Sequence, residues 1–292
     1  MTSLTVYVCP NPRENYQSQI LYYKDKLCSA HSISLKVFAE DTGVSRFCDA
    51  NNIYSIPSES FCNAAGIPLM NMIFEHMFRN SLVSKGQYAS TLYLNSDLII
   101  DKKFLSMVQF FIDYKDCYFV SGRRLNVDSL NYSCLQISNF QHWGTDYFLF
   151  RSPESLCTKK YEIGRFFWDG HVLTRAYELF KEKKLVAIDA SNYTTPIHIN
   201  HVYWWGNKGD KTTTRPLVRP ATSNNLKITS LSDSISIMSF PYEIESILDI
   251  QNIKALVIKK RNRIKHALAL KYHILFKIHY IFYKLKLLLL KI

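Results

Sequence analysis

The sequence lacks several features that mark common protein classes. No GxxxxGK phosphate loop or internal repeat is present among its 292 residues, which disfavours a P-loop kinase or ATPase. The seven cysteines include no CxxC pair, so we expect reduced thiols in a cytosolic compartment rather than a zinc site or a disulfide framework. The amino terminus has no charged leader and no long apolar core, and we expect no signal peptide.

Acidic residues are also absent after Asp249, whereas residues 254–291 contain eleven lysines and arginines. The rest of the chain has 25 basic and 24 acidic residues, so nearly all of the formal charge of +12 belongs to this tail. A nucleic-acid-binding protein would be expected to carry basic and aromatic residues on its folded body. Because the body is close to neutral, we expect no nucleic acid partner.

Residues 253–292 mix these cations with many Ile, Leu, Phe and Tyr residues, and stretches without Lys or Arg are only a few residues long. A membrane span needs about 20 predominantly apolar positions. The pattern instead predicts a basic amphipathic helix on an anionic membrane surface, which would make the protein cytoplasmic and peripheral on the inner face of the cell membrane. The alternative is a helical hairpin that packs on the body or within an oligomer.

Strand-like and helix-like segments alternate along the first two thirds of the chain. Predicted strands cover residues 4–9, 34–38, 52–56, 91–94, 117–121, 146–150 and 185–190, and predicted helices cover residues 15–29, 67–84, 104–114 and 166–183. This alternation predicts an α/β fold with a mostly parallel central sheet flanked by helices. We predict three regions: a catalytic domain in residues 1–206, a loop or lid with an accessory strand in residues 207–252, and the helical tail in residues 253–292.

A carboxylate follows the short apolar strand that ends in Leu94-Asn-Ser-Asp97. In open α/β sheets, ligands bind outside the carboxyl ends of the strands. Asn95 and Asp97 would point the same way there, because strand side chains repeat every two residues. The competing interpretation is a strand followed by an ordinary Asp turn. Arg123 and Arg124 follow another predicted strand and could bind phosphate, although paired arginines also occur in solvated loops.

Several short blocks appear in an order that resembles the GT-A type of glycosyltransferase, particularly the bacterial family-2-like nucleotide-diphospho-sugar transferases. The resemblance covers about residues 4 to 205. The blocks that carry it are Cys9-Pro10, Asp41-Thr-Gly43, Ala65-Gly-Ile-Pro-Leu-Met-Asn71, Leu94-Asn-Ser-Asp97, Gly144-Thr-Asp-Tyr-Phe-Leu-Phe150, Ile163-Gly-Arg-Phe-Phe-Trp-Asp169 and Ile197-His-Ile-Asn-His201.

The resemblance implies roles for individual residues. Asp97 is similar to the last Asp of the family's Asp-x-Asp motif, which binds Mn²⁺ or Mg²⁺ on the donor diphosphate, but Asn95 replaces the first Asp. His198 or His201 resembles a later metal ligand, with His201 slightly preferred. Asp169 resembles the general base, and Asp146 is a second candidate for base or acceptor contact. The residues expected to bind the donor are Pro10, Asp41, Gly66, Asn71, Asn95, Ser96 and Asp97 from these blocks, and Arg123 from its place after a predicted strand.

The expected function is therefore transfer of a sugar from a nucleotide-diphospho-sugar to a hydroxyl of a glycan or lipid-linked acceptor. We expect a metal-assisted, inverting hexosyltransferase-type reaction in surface polysaccharide or lipopolysaccharide synthesis. One alternative is a non-catalytic protein that binds membranes or nucleic acid through its tail. A sugar nucleotidyltransferase is a third option, but Pro10-Asn-Pro-Arg13 has no glycine where such enzymes carry a glycine-rich loop.

Overall fold

The computed structural model describes residues 4–10, 16–28, 33–84, 86–127, 137–163, 168–194, 196–199 and 242–243. His201, the predicted loop at 207–225, the predicted strand at 226–237 and the helical tail predicted at 253–292 lie outside the described residues. Within the described part, no helix has the length and apolar character needed to cross a bilayer.

The central sheet has eight strands, and all but one of them run parallel to the first strand. In spatial order the strands are β14 (Tyr242–Glu243), β12 (Val186–Asp189), β8 (Tyr118–Ser121), β11 (Tyr147–Arg151), β6 (Ser90–Leu94), β1 (Leu4–Val8), β2 (Ile33–Ala39) and β3 (Tyr54–Pro57). Only β11 runs antiparallel to both of its neighbours among these described strands. The predicted α/β class with a mostly parallel sheet is confirmed.

Helices cover both faces of this sheet. On one face, α1 (Tyr16–Leu27), α2 (Thr42–Ala50) and α4 (Lys102–Asp113) contribute to a core that includes Ile20, Val44 and Phe104. On the other face, α3 (Met70–Ser81) and α5 (Trp168–Lys181) contribute to a second core. All residues of β6, β8 and β11 are buried. Burial on both faces explains why the sequences of these strands do not alternate between apolar and charged residues.

Asp41-Thr-Gly43 was interpreted as a turn, and no helix was predicted at residues 42–50. Helix α2 begins at Thr42, and Asp41 is its N-cap: Asp41 Oδ1 accepts a hydrogen bond of 2.9 Å from the backbone N–H of Val44. Asp is a preferred N-cap residue because its carboxylate satisfies one of the unpaired amide groups at a helix start.

A second sheet lies beyond the carboxyl end of β6, and the sequence had predicted little of it. Its order is β10 (Ile137–Thr145), β9 (Arg123–Val127), β13 (Ile197–Ile199) and β7 (Leu98–Ile99). Strand β13 pairs antiparallel with β7, with His198 opposite Leu98, and parallel with β9. The described residues also include a hairpin of β4 (Leu82–Ser84) and β5 (Gln87–Tyr88) and a 3-10 turn at Ser58–Ser60.

Gly122 allows the close approach between β8, β11 and the segment after β12. A Cβ atom at this position would lie 2.3 Å from Tyr147 Oη and 3.0 Å from the backbone N of Ser191. We expect Gly122→Ala to lower the free energy of unfolding by about 1–3 kcal/mol, because the extra methyl group overpacks a buried site. Urea unfolding measures this change.

A double variant supplies the control for this prediction. Tyr147 is buried, and its hydroxyl makes no hydrogen bond within the described residues. Tyr147→Phe should therefore cost little alone, and Gly122→Ala/Tyr147→Phe should recover part of the lost stability because the nearest clashing atom is removed. Equal stability of the Gly122→Ala protein and the natural protein would contradict the overpacking argument.

Candidate active site

Polar side chains converge at one edge of the central sheet. Strands β1 and β6 are parallel, with Val8 opposite Leu94, so Cys9-Pro10 and Asn95 leave the sheet side by side. Asp146 reaches the same edge because it precedes β11, whose direction is reversed: Tyr147 is opposite Leu94, and Asn95 donates a backbone hydrogen bond of 2.9 Å to the Asp146 carbonyl. This edge is the usual ligand-binding position in open α/β sheets.

Asp97 and His198 form the centre of the site. His198 Nε2 lies 3.0 Å from Asp97 Oδ2. The His198 side chain is 1% exposed and that of Asp97 is 20% exposed, so the imidazole lies beneath a carboxylate that solvent can reach. The pairing of β13 with β7 produces this contact, because it places His198 opposite the residue that follows Asp97.

Asp146 is held on both of its carboxylate oxygens. Asn95 Nδ2 donates a hydrogen bond of 2.8 Å to Asp146 Oδ1, and Arg124 Nη1 forms an ion pair with Asp146 Oδ2. Both side chains of this ion pair are largely buried, at 12% and 7% exposure. Asn95 therefore binds Asp146 in this structure, and the resulting chain of contacts links the loop after β6 with β9.

Asp169 lies in the first turn of α5, as the sequence predicted. Its Oδ1 accepts a hydrogen bond of 2.8 Å from the backbone N–H of Gly170. Burial raises the pKa of Asp169 to about 6, and the negative charge of Asp146 contributes in the same direction, while the Gly170 amide and the Arg124 guanidinium oppose the rise. A carboxyl group with a pKa near 6 is well suited to accept a proton close to neutral pH.

The remaining predicted donor-binding residues occupy different positions along the edge. Pro10 and Ser96 follow β1 and β6 directly. Asp41, Gly66 and Asn71 follow β2 or β3: Asp41 caps α2, Gly66 is in an exposed turn with φ +73°, and Asn71 is in the first turn of α3. Arg123 starts β9, and its Nη2 lies 3.5 Å from Asn192 Oδ1.

Arg124 is the residue of this cluster that the sequence analysis did not select. Both arginines were considered as phosphate ligands or as part of a solvated loop, and only Arg123 was assigned to the donor site. The structure instead continues them into β9, where adjacent side chains point to opposite faces. Alternation in Arg123-Arg-Leu-Asn-Val127 was the signal that could have separated the two arginines, but it does not indicate which face meets Asp146.

The chemistry of Asp97 and His198 fits a divalent cation. In the structure Asp97 Oδ2 and His198 Nε2 share a hydrogen bond of 3.0 Å. Two adjacent ligands of an octahedral ion with bonds of about 2.1 Å are also about 3.0 Å apart, so a divalent cation could replace the shared proton. Within the described ranges there is no group of three or more His, Cys, Asp or Glu residues that could hold a metal. The pair Asp97–His198 would therefore need further ligands from a bound substrate or from water.

No protein-family model matches the chain, and no curated protein matches it. Similar solved structures include glucosyl-3-phosphoglycerate synthase from Mycobacterium tuberculosis with Mn²⁺, UDP and phosphoglyceric acid, at 10% identity and a TM-score of 0.42, over 68% of this chain and 72% of that one. Another is S. aureus TarS 1-349 with UDP-GlcNAc, at 14% identity and a TM-score of 0.41, over 68% and 59%. At identities and TM-scores this low, the likeness carries no conclusion about what this chain does.

Proposed function

We propose that this protein is a glycosyltransferase that moves a sugar from a nucleotide-diphospho-sugar to an acceptor hydroxyl. The observation that carries the proposal is the pairing of Asp97 with His198 at 3.0 Å, at the same sheet edge as Asp146 and Asp169. One pair is suited to hold a cation against a diphosphate, and Asp169 is suited to take a proton. Metal-assisted, inverting glycosyl transfer uses both functions.

Cleavage of the bond between the anomeric carbon and the diphosphate develops negative charge on the leaving group. Asp97 and His198 would hold Mn²⁺ or Mg²⁺, and the bound ion would supply positive charge that stabilises this leaving group. Magnesium and similar ions are commonly bound through one or two carboxylates together with phosphate oxygens and water. The presence of Asn95 in place of a second carboxylate is compatible with such a site, since Asn95 orients Asp146 instead.

The acceptor hydroxyl must lose its proton as it attacks the sugar. Asp169 is the better base of the two candidates because burial raises its pKa to about 6, whereas Arg124 and Asn95 occupy the carboxylate oxygens of Asp146. We therefore assign Asp169 as general base and Asp146 as the residue that links Asn95 to Arg124. A base acting opposite the leaving group gives inversion at the anomeric carbon, which is part of this proposal.

The finer parts of the proposal rest on sequence patterns. Donor contacts are assigned to Pro10, Asp41, Gly66, Asn71 and Ser96 because they lie in the blocks of the GT-A resemblance, and to Arg123 because a guanidinium at a strand end can bind phosphate. A lipid-linked or glycan acceptor in surface polysaccharide synthesis, and a position on the inner face of the cell membrane, are proposed from the basic amphipathic pattern of residues 253–292. Transfer of a hexose is likewise proposed from the sequence patterns alone.

A thermal-shift panel of nucleotide sugars and nucleoside diphosphates, with and without Mn²⁺, tests the proposed function. We expect a uridine or related diphosphate to raise the melting temperature only when Mn²⁺ is present, because the protein supplies few metal ligands of its own. A ligand at 100 times its Kd stabilises the folded state by about 2.7 kcal/mol, which is a measurable shift.

Asp97→Ala should abolish this metal-dependent shift. Asp25→Ala is the matched control, because Asp25 is an exposed carboxylate on α1 and its removal should leave the shift unchanged. Equal shifts in the natural protein and in Asp97→Ala would remove Asp97 from the site. If no nucleotide stabilises the natural protein while anionic vesicles or RNA bind it in a salt-sensitive manner, the non-catalytic alternative would be favoured instead.

A further inference from the structure

The hydroxyl of Tyr23 lies inside the turn that carries Asp97. Tyr23 Oη is 2.8 Å from the carbonyl oxygen of Asn95 and 2.8 Å from that of Leu98, and it accepts a hydrogen bond of 3.1 Å from the backbone N–H of Leu98. Asn95 and Leu98 are the first and fourth residues of this turn, and a closed β-turn would join their carbonyl and amide directly. The Tyr23 hydroxyl stands between these two groups and holds the turn open.

We infer that Tyr23 is a positioning residue for the Asp97–His198 pair, an inference that rests on the proposed function of that pair. Asp97 lies within the span that the hydroxyl bridges. The backbone N–H of Leu98 donates to the Tyr23 hydroxyl, and Leu98 is the strand partner of His198. One hydroxyl on α1 therefore positions both Asp97 and His198. It does so through the backbone of Asn95 and Leu98.

The surroundings of Tyr23 suit this role. The side chain is fully buried in the core between α1 and the sheet, so the ring has little freedom to withdraw from the turn. Burial, together with the nearby charge of Asp97, raises the pKa of Tyr23 well above its usual value. The hydroxyl therefore keeps its proton and can donate to a backbone carbonyl throughout the neutral pH range.

The neighbouring residue offers a matched control. Tyr22 Oη accepts a hydrogen bond of 3.0 Å from the Ile100 amide and lies 3.2 Å from the Ile100 carbonyl oxygen. Tyr22→Phe and Tyr23→Phe thus each remove one hydroxyl from the same helix and the same loop. They differ in the residue that each hydroxyl binds. The Tyr22 hydroxyl binds Ile100, which follows β7, whereas the Tyr23 hydroxyl binds Leu98, the strand partner of His198.

Hydrogen–deuterium exchange on the ligand-free full chain tests the structural part of the inference. We expect Tyr23→Phe to speed amide exchange at least tenfold in peptides that contain residues 95–99 and in peptides that contain residues 197–199. Tyr22→Phe should leave residues 197–199 unchanged. If Tyr23→Phe and the natural protein exchange at the same rate in both segments, the inference is overturned. This outcome does not depend on which ligand the protein binds.

Titration with Mn²⁺ at a fixed concentration of UDP tests its consequence, with the thermal shift as readout. Loss of a group that orients a metal ligand commonly costs 10–100-fold in metal affinity, so we expect at least a tenfold rise in half-saturating Mn²⁺ for Tyr23→Phe and less than a threefold rise for Tyr22→Phe. Equal Mn²⁺ affinities of the two variants would overturn the inference. If the natural protein shows no Mn²⁺-dependent shift at all, the proposed function fails, and the exchange measurement alone decides on Tyr23.

Discussion

Asp169→Asn should lower kcat for glycosyl transfer by about 10²–10⁴-fold and, at pH 8, should make the protein more stable. The loss of activity follows from removal of the general base, whose usual contribution lies in this range. In the natural protein kcat should rise with pH through about 6, since only the ionised form of Asp169 can accept the acceptor proton and its pKa is raised to about 6.

The gain in stability follows from the same pKa shift. The pKa of Asp169 rises from 3.8 to about 6 on folding, so between these values the folded protein binds more protons than the unfolded chain and its stability falls as pH rises. Above about pH 6 the folded state holds a carboxylate that water would solvate better. An asparagine of similar shape removes this cost, which is on the order of 1–3 kcal/mol.

Urea unfolding of Asp169→Asn at pH 5 and pH 8 measures the effect, and the gain should be smaller at pH 5. Asp25→Asn, which changes an exposed carboxylate on α1, should show no such dependence on pH. A merely structural Asp169 would give a destabilised variant at both pH values. That result, or an unchanged kcat, would contradict the assignment of Asp169 as the general base.

The sequence was sufficient to predict the α/β class and the alternation of strands and helices, although not helix α2 or the second sheet. Continuous apolar runs such as those of β6 and β11 indicated strands buried on both faces, and polar residues directly beyond them had to lie at strand ends. Asp97 and Asp169 could therefore be selected in advance, one from a strand end and one from a helix start. Both signals are local in the sequence.

The contacts between distant residues could not be predicted in the same way. Nothing within residues 146–151 shows that β11 is antiparallel, yet this reversal brings Asp146 to Asn95. His198 meets Asp97 through the pairing of two very short strands, β7 and β13, separated by about a hundred residues. His201, slightly preferred from the sequence, lies outside the described residues and stays a prediction, whereas His198 is observed beside Asp97.

Arg124→Gln should lower the free energy of unfolding by about 3–5 kcal/mol. Arg124 and Asp146 form an ion pair whose side chains are only 12% and 7% exposed. Removal of one member of a buried pair leaves the other charge without compensation, which is more costly than the pair itself is favourable. The same change should move the rise of kcat to higher pH, because the Arg124 guanidinium lowers the pKa of Asp169.

The double variant Arg124→Gln/Asp146→Asn separates the charge effect from loss of packing. It leaves no buried charge at this position, and the amide oxygen at 146 can still accept the hydrogen bond that Asn95 Nδ2 donates to Asp146. We therefore expect the double variant to regain most of the stability lost in Arg124→Gln when both are unfolded in urea at pH 8. If the double variant is no more stable than Arg124→Gln, Arg124 stabilises this edge of the sheet through its packing, and the ion pair with Asp146 is not what joins β9 to the site.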